Sequence, residues 1–171
     1  FDRQYGELPL GYDHKYVYSH FGYNLKGYGY AGSGGMRPAE EIFRPCGAQK
    51  AQLARLHKAL EGTEDRLILP VACEHSDPSW FGFLITCKEG VDRNKVVQYV
   101  EERGVQTRML FAGNLIKHPC FDEMRKTGEG YRVSGTLENT DRIMADTFWV
   151  GVYPGMTDEM IDYMAKPSER P

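Results

Sequence analysis

Two side chains with phosphate chemistry stand two residues apart, the amide of Asn24 and the ammonium of Lys26, at the end of Tyr18-Ser19-His20-Phe21-Gly22-Tyr23-Asn24-Leu25-Lys26. In an extended chain residues two apart point to the same side, so both groups could meet one anion. The competing reading is a half-buried aromatic turn that carries a solvated lysine. Arg108, in Thr107-Arg108-Met109-Leu110-Phe111, offers a guanidinium fork that could take an anion, or else a structural ion pair at a strand end. His14 and His20 lie among tyrosines, where a histidine packs and hydrogen-bonds as readily as it approaches a ligand. Cys46, Cys73, Cys87 and Cys120 are too widely spaced for a zinc knuckle or a redox pair, so reduced thiols in a cytoplasmic protein are expected.

These groups need a frame to hold them. The 171 residues, 41% hydrophobic and 26% charged, suffice for one sizeable core and leave little for a second full domain. A net charge of -3 gives no electrostatic case for nucleic acid, and no basic run or long apolar span points to a membrane. The chain starts at Phe1 with no apolar leader, as a piece of a longer protein would.

Residues 1–26 are rich in tyrosine and broken by Gly6, Pro9 and Gly11, which predicts loops and short extended pieces. Leu53, Leu56, Ala59 and Leu60 fall on one helical face that stops at Gly62. Leu67–Leu69 and the aromatic, β-branched run Trp80–Thr86 read as strands. Asp92 caps a helix to about Arg103, with Val96, Val97 and Val100 inward and Gly104 as terminator. A strand over Gln106–Phe111, a short helix from Asn139 or Thr140 to Met144, and a strand over Phe148–Tyr153 follow. Thr157 caps a last helix carrying Met160, Ile161 and Met164, and Trp80 and Trp149 read as core. Helices interleaved with few strands predict a two-layer α/β sandwich.

One stretch does not fit. Gly27–Gly35 reads GYGYAGSGG, five glycines in nine residues, and Met36–Gln52 adds Pro38 and Pro45 without sustained apolar periodicity. Such a sequence has high chain entropy and interrupted helix, so 27–52 is expected to be disordered and poorly packed.

Four blocks together, YDHKYVYSHFGYNLK, SDPSWFGF, TRMLFAGNL and NTDRIMADTFWVGVYPG, resemble the DegT/StrS-type sugar aminotransferase family that uses pyridoxal phosphate. More narrowly they are similar to its 3-dehydrase branch, which acts on CDP-4-keto-6-deoxyglucose in lipopolysaccharide sugar synthesis. The resemblance spans residues 1–26 and about 53–165, in the family's order. It implies a fold-type I subunit, with 1–26 as the end of the cofactor-binding large domain and a dimer-crossing segment, and 53–171 as the small C-terminal α/β domain. Asn24 would then reach the partner subunit's cofactor phosphate, with Lys26 beside it. His20, Arg108, Asn114 and His118 would belong to the substrate pocket, although relatives usually carry glutamine where this chain has His118 before Pro119.

The same resemblance implies a reaction. Pyridoxamine phosphate serves removal of the 3-hydroxyl from a nucleotide-linked 4-keto-6-deoxy sugar, in deoxysugar and O-antigen synthesis. A histidine acts as base where aminotransferases carry lysine. Electrons come from a flavin and iron-sulfur reductase through an iron-sulfur cluster in the dehydrase. That histidine and the cluster cysteines precede the first residue of this chain, so no catalytic residue or metal ligand is expected here and the piece alone is expected to be inactive. An aminotransferase of the same family, a noncatalytic module, or the product of a damaged gene are the alternatives.

Family members continue Tyr-Asn-Leu-Lys with Thr-Asp-Met-Gln-Ala-Ala and a long amphipathic helix. Gly27 onward can be encoded GGC TAC GGA TAT GCA GGC AGC GGT; without its first base this reads Ala-Thr-Asp-Met-Gln-Ala-Ala. In the same frame Met36–Glu41 can encode Cys-Gly-Gln-Leu-Lys-Lys, and Gly47–Gln52 can encode a basic run leading into Leu53. Residues 27–52 are therefore read as a frame-shifted version of a normal helical segment.

Overall fold

The structure, a computed structural model, describes residues 4–22 and 39–165, the side chains of 39–45 excepted. Four strands form one antiparallel sheet in the order β1-β2-β4-β3. They are β1 (Leu67–Ile68), β2 (Gly82–Cys87), β3 (Thr107–Met109) and β4 (Thr147–Gly151). The register sets Phe83 opposite Val150, Ile85 opposite Phe148, and Phe148 in turn opposite Met109. Successive side chains on a strand face opposite sides, so these five make an inner face and are buried. Leu84, Trp149 and Arg108, also opposite one another, make an outer face that is only half-buried.

The helices are α1 (Ala39–Ala59), α2 (Arg93–Glu101), α3 (Asp122–Thr127), α4 (Glu138–Asp146) and α5 (Asp158–Ala165). α1, α2 and α4 lie on the inner face, α5 packs along α1, and α3 packs on the 3-10 turns Leu115–Lys117 and Pro119–Phe121. α1 buries Leu53 and Leu56 and sets the edge of His57 on Phe83, 6.2 Å between ring centroids. It packs along α5, where Arg55 forks onto Asp162 at 2.9 Å and reaches Asp158 at 2.5 Å. The Asp92 side chain accepts from the Asn94 and Lys95 amides at the start of α2, and Val96, Val97 and Val100 are buried. Gly104, at φ +79, supplies the left-handed residue that turns the chain away after it. The result is the two-layer α/β sandwich that the pattern predicts.

Two features depart from expectation. α1 begins at Ala39, runs across Pro45 and Gly47, and so occupies much of the stretch expected to be disordered. Gln49 donates to the Val152 carbonyl at 2.8 Å, and buried Gln52 to the Pro154 and Met156 carbonyls at 3.2 and 2.7 Å. These bonds tie the extra turns to the loop after β4, and the leucines that follow anchor the helix in the core. The expectation of disorder is corrected for 39–52; its part in 27–38 lies outside the described residues. Secondly, residues 4–22 form more than a passing loop, because Leu8 and Tyr12 are members of the same core. A 3-10 turn, His14–Tyr16, is the only helical piece within them, and Asn94 donates to the Leu10 carbonyl to hold them down.

Candidate functional site

The end of β3 opens into a loop on which most of the candidate residues converge. Phe111 stands at φ +45, a conformation costly for a bulky side chain. The Tyr12 hydroxyl donates to its carbonyl at 2.7 Å, and its own amide donates to Met109 at 2.7 Å. Burial pushes the Tyr12 phenol up to about 12, so it remains a donor throughout the neutral range. Gly113, at φ +57, lies under Met144, where an added Cβ would fall 2.7 Å from the side chain. Close approach and backbone both demand glycine there.

Asn114 is 3% exposed and donates to Asp141, in the first turn of α4, at 2.6 Å. Lys117 reaches the other oxygen of the same carboxylate at 2.9 Å. The Asn114 hydrogen bond first, and the Lys117 contact second, hold the Asp141 carboxyl below its ordinary value. The amide therefore fastens the loop to α4. His118 is fully buried, and both ring nitrogens are engaged. Nδ1 accepts the Tyr18 amide at 3.1 Å, leaving the ring proton on Nε2 to be donated to the Ala112 carbonyl at 2.6 Å. The Tyr18 ring stacks on it, centroids 4.9 Å apart, and the Tyr18 carbonyl receives the Cys120 amide at 3.0 Å. Tyr18 is thus strapped by both its backbone groups to the loop six residues before Asn24.

His20 is exposed, bonded to the Ser19 hydroxyl at 2.9 Å, and borders a cavity of about 500 Å³ with Tyr18, Phe21, Leu115, Cys120 and Phe121. Arg108 lies apart from it on the outer sheet face. It donates to the Thr107 carbonyl at 2.8 Å and to Gln106 at 3.5 Å. Asn24 and Lys26 lie outside the described residues. The structure thus brings Asn114 and His118 into one loop and His20 to its rim, with Arg108 on the strand that feeds it.

Sequence reasoning passed over Tyr12, Asp141 and Lys117, whose partners are 24 to 99 residues away on other elements. Trp149, expected in the core, is half-buried on the outer face. Strict alternation with Phe148 and Val150 inward already demands this. Among the described residues no three His, Cys, Asp or Glu side chains are placed to hold a metal, and no helix is long and apolar enough to cross a membrane.

Similarity to known proteins extends over nearly the whole chain. Lipopolysaccharide biosynthesis protein RfbH of Salmonella typhimurium is 47% identical over 171 residues, 99% of this chain and 38% of its own length. The dTDP-4-dehydro-2,6-dideoxy-D-glucose 3-dehydratase of Saccharopolyspora spinosa is 45% identical over 168 residues, 97% of this chain and 35% of its own. This chain therefore spans well under half the length of the curated relatives it matches. Among solved structures, E. coli GDP-4-keto-6-deoxy-D-mannose-3-dehydratase with bound hydrated PLP superposes with a TM-score of 0.62 at 20% identity, over 75% of this chain and 32% of that one. The sandwich is accordingly a partial segment of a fold-type I subunit. Since the DegT/DnrJ/EryC1/StrS aminotransferase family profile matches residues 3–167, the chain belongs to that family.

Proposed function

We propose that the full-length protein is a nucleotide-sugar 3-dehydrase, removing the 3-hydroxyl of a 4-keto-6-deoxy sugar in deoxysugar and lipopolysaccharide O-antigen synthesis. The observation that carries this is the 47% and 45% identity, along almost the entire chain, to proteins named for lipopolysaccharide synthesis and for 3-dehydration. It works in the cytoplasm as a homodimer, with a flavin and iron-sulfur reductase as electron donor and an iron-sulfur cluster whose ligands lie upstream.

The donor set fits a phosphorylated pyridoxal cofactor. The Asn24 amide supplies neutral donors and Lys26 a cation, the combination that a phosphate oxygen takes. Bound, that group would supply an electron sink for loss of the sugar hydroxyl. The residues of this chain bind and orient. His118 and the Cys120 amide fix Tyr18 and so the entry to the Asn24 segment, Asn114 fixes the pocket loop against α4, and Arg108 offers charge to the nucleotide.

The test is the full-length protein with its reductase. A 3-deoxy product formed only when both are present is expected; an amino sugar formed from an amino donor without reductant would make it an aminotransferase. Sedimentation should give a dimer, and an active monomer would count against the shared site. Asn24→Ala should weaken cofactor retention by about 1.5–3 kcal/mol, the worth of one charge-assisted hydrogen bond. Unchanged retention would remove Asn24 from the site.

A further inference from the structure

Three aromatic rings stand together on the outer sheet face: Phe81 just before β2, Phe111 just after β3, and Trp149 within β4. Their centroids are 5.4 Å (Phe81–Trp149), 6.2 Å (Phe111–Trp149) and 6.4 Å (Phe81–Phe111) apart. Phe81 is 60% and Phe111 48% exposed, whereas side chains of this size are ordinarily covered.

Each ring is held in place. The Trp149 indole donates to the Met109 carbonyl at 3.0 Å, and its ring lies over Gly82, where an added Cβ would come within 2.7 Å of it. The Phe81 carbonyl accepts the Val152 amide at 2.8 Å. Phe111 is fixed from both sides of its peptide and by the Tyr16 ring, which meets it edge-on at 6.2 Å. Beside the rings is a cation. Arg108 stands opposite Trp149 in the register, and among the described residues no carboxylate pairs with it.

We infer that this cluster seats the nucleoside diphosphate half of the nucleotide sugar, the base against Phe81 and Phe111 and the diphosphate on Arg108. The inference rests on the nucleotide-sugar reading above. An apolar segment of the remaining chain would cover the rings and leave the guanidinium without an anion; a nucleoside diphosphate satisfies both. Stacking accepts any base, since every base has a π-face, and the guanidinium fork matches phosphate oxygens two at a time. Because rings and backbone are fixed before anything binds, little ordering entropy opposes the union.

The experiment uses full-length, cofactor-loaded protein titrated with CDP, dTDP and GDP in turn, read by tryptophan fluorescence and calorimetry. At least one diphosphate should bind, and Phe81→Ala and Arg108→Gln should each weaken it about tenfold. Cofactor absorbance and melting temperature should stay unchanged. Arg108→Gln should also flatten the salt dependence of binding. Affinity unchanged from the parent protein in either variant overturns the inference, as does a lowered melting temperature with unchanged affinity, which would assign the rings to packing against the rest of the chain. A protein that holds its cofactor yet binds none of the diphosphates overturns the seat alone. One that holds no cofactor overturns the dehydrase reading, while the titration still judges the seat.

Discussion

Asp141 is the residue on which the pocket loop hangs, because its carboxylate receives both Asn114 and Lys117. Its folded value lies below its ordinary one, so the ionised form is favoured by folding, and this contribution is present in full above the ordinary carboxylate range. It is lost as pH falls below that range and through the lowered folded value. Asp141→Asn in the full-length protein should therefore flatten the acid limb of melting temperature against pH; an unaltered limb would mean the pair is screened by solvent, for the carboxylate is 37% exposed. His118 makes a complementary case. A leucine there would leave the Tyr18 amide and the Ala112 carbonyl unpaired, at about 1–3 kcal/mol for each buried group. A glutamine offers one acceptor and one donor on the same end group. His118→Leu should lower the melting temperature while His118→Gln largely keeps it, and equal losses in both would show that ring volume and stacking on Tyr18 matter more than the two bonds.

Among the elements, β4 shows how much of the fold could be read in advance and why the rest could not. Its alternation, the Asp92 cap, the three valines of α2 and the Gly104 stop are local signals, written within one turn or one strand. α1 was legible from Leu53 onward, since Leu53, Leu56 and Leu60 mark a face. Its earlier turns were not, because Gln49 and Gln52 find their partners more than a hundred residues away. Likewise α3 and the 3-10 turns at Leu115–Lys117 and Pro119–Phe121 carry mostly polar or mixed residues with no apolar period. Of the candidate site, Arg108, Asn114 and His118 were singled out by resemblance, whereas what each touches depends on partners no window contains. Gly82 tests the sheet directly. Gly82→Ala should drive the Trp149 ring off its neighbour, costing about 1–3 kcal/mol by overpacking and shifting tryptophan emission. An unchanged spectrum and melting point would mean the ring slides aside freely.

For the whole molecule, the covalent structure turns on the segment joining Lys26 to Leu53. If one base has been gained near Lys26 and one lost near Leu53, the encoding DNA of the organism reads Ala-Thr-Asp-Met-Gln-Ala-Ala after Leu25-Lys26, and the helix that follows gains leucine and cations where this chain has glycine and proline. Resequencing should find those two single-base differences; an uninterrupted original frame, with peptides covering GYGYAGSGGMR, would refute it and make Cys46 a real thiol. Elsewhere the chain is joined more tightly than its loops suggest. α4 ends at Asp146 and β4 begins at Thr147, with nothing between them, and Arg93 clamps the junction by donating to the Ala145 carbonyl at 2.8 Å while its other arm reaches Met109. Asn114 and Gly113 rest on the helical half of this continuous piece, through Asp141 and Met144, and Trp149 projects from the strand half. Because the two halves are continuous, a change at Asn114 is expected to reach the indole like the throw of a crank, and tryptophan emission that does not respond to Asp141→Asn would refute the coupling.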